Sequence, residues 1–265
     1  MGRLNDLAKV GPIDGGGSCR LALTDDDRDG RDLIVAWMRD LGLEISIDGV
    51  GNIVGTWNVG SGSAVMTGSH IDTVRTGGRF DGNLGVLAGL EVIETLMTAG
   101  LQPARPCSVG VFTNEEGARF QPDMLGALVY VGGLSLETAL DTIAIDGAVL
   151  GAELQRIGYD GSAPCPSVAP HAFVELHIEQ GPVLDAEGRL MTTDEGIRDS
   201  SYEKISSLKP SFIETEKGGK VTAGNSSQIT DGSAALLIMS EEKAKQLGLR
   251  PRARFVNFSV AGADP

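Results

Sequence analysis

Residues 63–117 read SAVMTGSHIDTVRTGGRFDGNLGVLAGLEVIETLMTAGLQPARPCSVGVFTNEEG, and their periodicity decides the fold. SAVMTGSH reads as a strand running into a loop. NLGVLAGLEVIETLMTAG has the length and spacing of a helix, closed by Gly100, and CSVGVFTN is a buried strand that ends at Glu115 and Glu116. Upstream, Thr24 can cap a helix through DDDRDGRDLIVAWMRDLG. Its Asp cluster suits the positive helix end, and Leu33, Ile34, Trp37, Met38 and Leu41 recur at helical spacing. EISID and NIVGTW predict a hairpin around Gly49–Gly51, and HAFVELHIEQG predicts a further strand ending at Gly181 and Pro182. Strands alternating with helices predict an α/β sheet with helices on its faces. SHID, TNEEG and HIEQG then fall at or just past strand ends, the edge at which open α/β sheets bind ligands.

Those three motifs carry side chains suited to a dinuclear metal site. Such a site needs a carboxylate shared by two cations about 3.5–4 Å apart and a further carboxylate to take the proton of an attacking water. His70 offers an imidazole. Asp72, two residues on, can reach the other ring nitrogen and fix the tautomer. Asp81 lies in the Gly-flanked turn GGRFDGN, where a short carboxylate can project inward and bridge. Glu115 and Glu116 are adjacent at a strand end, so one can hold metal while the other faces the water. His177 closes the third strand as a terminal ligand. Each element alone has an ordinary explanation: Asp-Gly is a common turn and Glu-Glu pairs are mostly solvated. Together, in order and all at strand ends, they point to metal. His171 receives no role.

Composition narrows the class. Hydrophobic residues make up 41% of the 265, enough for a buried core, and the net charge is −14, which argues against nucleic-acid binding. No apolar run suits a bilayer span and no basic-led signal segment is visible, so a cytoplasmic protein without membrane contact is expected. Cys19, Cys107 and Cys165 are scattered, as in a reducing compartment. The charge is uneven. Residues 1–190 carry 12 basic and 26 acidic side chains, residues 191–265 ten of each, and Lys9 is the only lysine before Lys204. The shift suggests two joined pieces, 1–190 and 191–265, packing as separate units.

GSHIDTV, GGRFDGNLGVLAGLEV, TNEEGARF and LHIEQGPVL, with LALTDDDRDGRDLIVAWMRDLGLE and VGNIVG between them, closely resemble the N-carbamoyl-L-amino-acid hydrolases, allantoate amidohydrolases and related ureido-hydrolases. These are dinuclear enzymes of the aminoacylase/carboxypeptidase clan. The resemblance runs from about residue 1 to 188. It implies a three-layer α/β catalytic domain, here incomplete, in which His70 and His177 hold one divalent ion (Zn, Mn or similar), Asp81 bridges and Glu116 holds the other. It implies Glu115 as general base, Gln180 as a substrate contact, and hydrolysis of a carbamoyl or ureido C–N bond in a small molecule. The family continues past this point into a lid and dimerisation domain and a last His ligand. No His follows His177 here, so the second metal position is expected to be incomplete, activity impaired, and the oligomeric state open.

From about residue 191 the chain resembles an internal segment of thiolase, through KVTAGNSSQITDGSAALLIMSEEKAKQLGLRPRARFVNFSVAGADP. Ser227 matches that family's CoA-contacting serine, although Gln228 and Thr230 depart from the usual Gly and Asn, and neither catalytic Cys nor the Gly-His-Pro histidine is present. The alternatives to a carbamoylase-type hydrolase are therefore a thiolase-type acyltransferase fragment and a non-catalytic fusion product.

Overall fold

A short helix, α1 (Gly2–Leu7), buries Leu4 and Leu7. It is followed by α2 (Asp25–Asp40), whose start is set by chemistry visible in the sequence. The Thr24 side-chain oxygen accepts the amide of Asp27, and Asp25, Asp26 and Asp27 occupy the first turn. This places acidic charge on the positive helix end. These are features of a computed structural model that describes residues 1–178, 199–210, 219–220, 222–224, 239–251 and 254. The chain divides into two units, Met1–Gln180 and Gly181–Pro265.

The first unit is built on one five-stranded sheet. Its strands are β1 (Glu44–Ile47), β2 (Ile53–Trp57), β3 (Val65–His70), β4 (Cys107–Phe112) and β5 (Ala172–Val174). Their order across the sheet is β1-β2-β4-β3-β5. The hairpin β1–β2 is antiparallel, with Ile47 opposite Ile53, and β2 runs antiparallel to β4. The strands β4, β3 and β5 are mutually parallel. Parallel direction puts the carboxyl ends of these three strands on one rim, which is what the site requires. The helix α3 (Asn83–Thr98) links β3 to β4. It is followed along the chain by α4 (Leu125–Tyr130), α5 (Leu136–Leu140) and α6 (Leu150–Ile157), with β5 last.

The α/β class expected from the sequence is observed. Ile53, Val109 and Val111 join Ile34, Met38, Leu90 and Ile93 of α2 and α3 in the main core. On the other face Val54 and Met66 pack with Tyr130, Phe112 and Val168. Fully burying one side chain such as Leu90 contributes about 1.5–3 kcal/mol. The helix α3 lies close on the sheet because it presents glycine where a side chain would collide. A Cβ at Gly89 would stand 2.7 Å from Thr67 Cγ2 and 3.0 Å from Val109 Cγ2.

One expected element is shorter than its pattern. HAFVELHIEQG pairs only through Ala172–Val174, opposite Val65–Thr67 of β3. Glu175–Ile178 lie outside the ladder, so His177 stands three residues past the strand rather than within it.

In the second unit α7 (Tyr202–Ser206) and α8 (Glu241–Gln246) are described. The hydroxyls of Ser201 and Ser240 cap them by accepting the amides of Lys204 and Lys243. Most of the GNSSQITDG loop lies outside the described residues, as does the composition shift near residue 190. Among the described residues no helix is long and apolar enough to cross a membrane.

Candidate metal centre

His70 is the last residue of β3 and its side chain is buried. Its Nδ1 lies 2.8 Å from the backbone carbonyl of Asp72. Donation there leaves Nε2 with a lone pair, and that buried Nε2 has no hydrogen-bond partner. Buried nitrogens are seldom left so. What surrounds Nε2 is acidic: Glu115 Oε2 at 3.3 Å and Asp81 Oδ1 at 3.8 Å.

Asp81 occupies the turn before α3. Its Oδ1 also stands 3.3 Å from His177 Nε2, and the two imidazoles stack with centroids 5.9 Å apart. One ligand atom from each of His70, Asp81 and His177 falls within 4.8 Å of the others. Two imidazole nitrogens and a carboxylate oxygen are a donor set suited to zinc and similar divalent ions, so the residues present fit the cation that the motifs imply. The turn makes this possible at Gly82. Its φ is +62°, and a Cβ there would lie 2.5 Å from Cδ2, Cε1 and Nε2 of the His70 ring. Only a residue without a side chain lets the backbone cross the imidazole this closely.

Asp72 acts differently from the expectation. Its carboxylate does not hold the imidazole: Oδ1 is 3.9 Å from Nδ1, and the backbone carbonyl of the same residue takes the ring N–H instead. The two carboxylate oxygens accept the amides of Glu115 and Glu116, each at 3.2 Å. The reason is local. The chain leaving β3 points the carbonyl at the ring, and the carboxylate accepts the amides past β4 instead. Burial holds the Asp72 carboxyl above its ordinary range, against the opposing pull of His70.

Glu115 and Glu116 follow β4, in a loop shaped by Asn114. Asn114 has φ +53° and its side chain binds the Phe120 amide and the Phe120 and Pro122 carbonyls. Sequence reasoning passed over this residue, although Asn is among the few side chains at home in that backbone region. Burial raises the Glu115 carboxyl above its usual value. Burial pushes Glu116 up to about 7, with Asp81, Asp72 and Glu115 adding to the rise and His70 opposing it. Burial disfavours the charged His70 ring, yet the nearby carboxylates of Asp72, Glu115 and Glu116 outweigh it and raise its pKa. A half-buried cluster of carboxylates sharing so little positive charge is an environment that a cation stabilises. The structure thus brings His70, Asp81, His177 and Glu115 together at the rim. Glu116 is anchored beside them by its amide, and both glutamates lie outside the 4.8 Å group of His70, Asp81 and His177. Gln180 and Ser227 lie outside the described residues.

Several known proteins are similar to this chain over the residues that carry the site. Residues 52–154 match the model of peptidase family M28, and residues 179–242 match that of the thiolase N-terminal domain. An N-carbamoyl-L-amino-acid amidohydrolase of Rhizobium meliloti is 43% identical over 188 residues, which cover 70% of this chain and 45% of that protein. A ureidoglycolate hydrolase of Arabidopsis thaliana is 39% identical over 180 residues, 64% of this chain and 38% of that one. A crystal structure of a hydantoinase/carbamoylase family amidase from Burkholderia ambifaria superposes with a TM-score of 0.65 at 49% identity, covering 70% of this chain and 46% of that one. The chain spans less than half the length of each of these three proteins. Residues 1 to about 188 resemble the N-carbamoyl-L-amino-acid and allantoate amidohydrolases, and the later segment resembles thiolase.

Proposed function

We propose that the unit Met1–Gln180 is the metal-holding part of an amidohydrolase acting on the C–N bond of N-carbamoyl amino acids or related ureido compounds. The observation that carries the reading is the buried, unpartnered Nε2 of His70 facing Asp81 and His177. The relatives named for N-carbamoyl-amino-acid and ureidoglycolate hydrolysis support the substrate class.

His70, Asp81 and His177 would hold a divalent ion, zinc or manganese, and Asp81 and Glu116 would serve a second. A cation there supplies Lewis-acid polarisation of the substrate carbonyl and eases deprotonation of water. Glu115 supplies the base. Its carboxylate is 3.3 Å from Nε2 of His70, and burial makes it more basic than a solvated glutamate. It takes one proton from the attacking water and returns it to the leaving nitrogen. Cleavage of the ureido bond gives an amine and carbamate, which decomposes to CO2 and ammonia. Asp72 holds the backbone of Glu115 and Glu116 and so aims both side chains.

His70, Asp81 and His177 are the donors that converge among the described residues, and we expect one tight equivalent of metal there. Calorimetric titration of metal-stripped protein with zinc and manganese tests this, alongside ammonia release from N-carbamoyl amino acids and allantoate. One equivalent bound by wild type and lost in His70→Ala and Asp81→Ala is the expected result. Wild-type protein that takes up no metal at micromolar concentration overturns the reading.

A further inference from the structure

Arg20 is one of the largest fully buried side chains in the protein. Its four side-chain acceptors are neutral oxygens on three segments. Nε donates to the Ile71 carbonyl at 2.8 Å, Nη1 to the carbonyls of Val10 at 2.9 Å and Leu7 at 3.4 Å, and Nη2 to Asn83 Oδ1 at 2.9 Å. Its backbone is tied to the same region. The Arg20 amide donates to Thr73 Oγ1 at 2.8 Å, and the Thr73 amide donates to the Arg20 carbonyl at 2.9 Å. Residues 71–73, which follow His70 directly, are thus held at three points by residue 20.

The Asn83 leg reaches the other side of the site. Asn83 is buried at the start of α3, two residues after Asp81, and its Nδ2 donates to the Arg79 carbonyl at 3.3 Å. One side-chain amide therefore spans the turn that carries Asp81 while resting on the guanidinium. The fold makes room for this arrangement: a Cβ at Gly30 of α2 would stand 2.9 Å from Arg20 Cδ. A glycine inside a helix is destabilising relative to alanine, and here it leaves space for the arginine. Burying a cation is costly as well. A flat fork with five donors can join three segments at fixed separations, which no apolar side chain of similar size can do.

We propose that Arg20 and Asn83 form a brace that sets the separation of the His70 imidazole from the Asp81 carboxylate, and with it the cation affinity of the centre. Both are positioning residues, since they act through the loops that carry the ligands. The proposal rests on the metal-binding reading above.

The test uses the full chain, stripped of metal, with zinc as titrant and cobalt(II) as a spectroscopic probe. Asn83→Ala removes only the leg to the Asp81 turn, and Arg20→Lys keeps the charge but loses the fork. Zinc affinity is expected to fall about 10- to 100-fold in each, the range seen when supporting groups around metal ligands are removed. The visible bands of bound cobalt should change in position or intensity. The apo Asn83→Ala protein should keep its far-ultraviolet circular dichroism and melt within a few degrees of wild type, so that weak binding is not loss of fold. If Arg20→Lys fails to fold, Asn83→Ala decides alone. Wild-type zinc affinity and cobalt spectrum in a folded Asn83→Ala protein overturn the brace and leave the metal centre standing. Absence of zinc binding in wild type overturns both.

Discussion

Replacing Gly82 by alanine should damage the centre out of proportion to the single methyl added. At 2.5 Å from three atoms of the His70 ring, the new Cβ would be about 1 Å inside the 3.4–4 Å range of ordinary contact. Relief must come from the ring or from the backbone. The ring is held from behind by the Asp72 carbonyl at 2.8 Å and is buried, so it cannot retreat without losing that bond. The backbone cannot relax freely either, because φ of +62° disfavours any side chain, a strain of about 1–3 kcal/mol. Disturbing what supports a metal ligand costs about 10- to 100-fold in metal affinity, and a displaced imidazole belongs at the upper end. Gly82→Ala is therefore expected to lower zinc affinity about 100-fold and the apo stability by about 1–3 kcal/mol, a melting shift of several degrees for a unit of this size. Calorimetric zinc titration and thermal melts of the stripped protein read the two effects separately. A Gly82→Ala protein with wild-type zinc affinity would refute the claim that this turn must pass bare against the imidazole.

Further outcomes can be checked in the same preparations. Asp72→Asn offers one acceptor where the Glu115 and Glu116 amides need two, so urea denaturation should show a loss of about 1–3 kcal/mol. The imidazole, held by the backbone carbonyl, should keep its tautomer by NMR; a switched tautomer would contradict the assignment. Burial and a hydrogen bond to Asp48 at 3.1 Å push the Cys165 thiol up to about 12. Iodoacetamide at pH 8 should label it far more slowly than a model thiol, and Asp48→Asn should speed the reaction; equal rates in both proteins would refute the coupling. Glu153 is held below its ordinary 4.5 by Arg156 first and by Arg119 as well. Because its folded value is depressed, the stability it lends is present above pH 4.5 and disappears as the pH falls through the folded value. Stability measured at pH 7 and at pH 3 should thus differ less in Glu153→Gln than in wild type. An undiminished difference would show that the pairs are screened by solvent.

Much of the fold is legible because its causes are local. Thr24 with three following aspartates begins α2, and the apolar spacing of Leu33 to Leu41 gives it a buried face whatever lies opposite. Alternation and β-branched residues mark β1 to β4. The length of β5 was not legible. A strand at the sheet edge needs one neighbour only, and past Val174 the chain crosses α3, where the Leu176 carbonyl lies 2.7 Å from the position of a Cβ on Gly85. No alternation pattern records such a crossing. The site divides the same way. His70, Asp81, Glu115 and His177 announce themselves by residue type. Arg20 and Asn83 do not, since the guanidinium's acceptors are carbonyls and an amide oxygen 10 to 63 residues away.

What the sequence by itself determined is the chemical inventory and its sites of attachment: imidazoles and carboxylates placed where strands end, with glycines in the turns between. Which atoms meet was decided only by tertiary structure. The parallel pairing of β4, β3 and β5 gathers the three loops on one rim. The path of the chain after β3 sends the Asp72 carbonyl, not its carboxylate, to the ring. Residue type sets which bonds are possible. Orientation depends on backbone direction and on neighbours far along the chain, and those are fixed when the sheet and its helices pack.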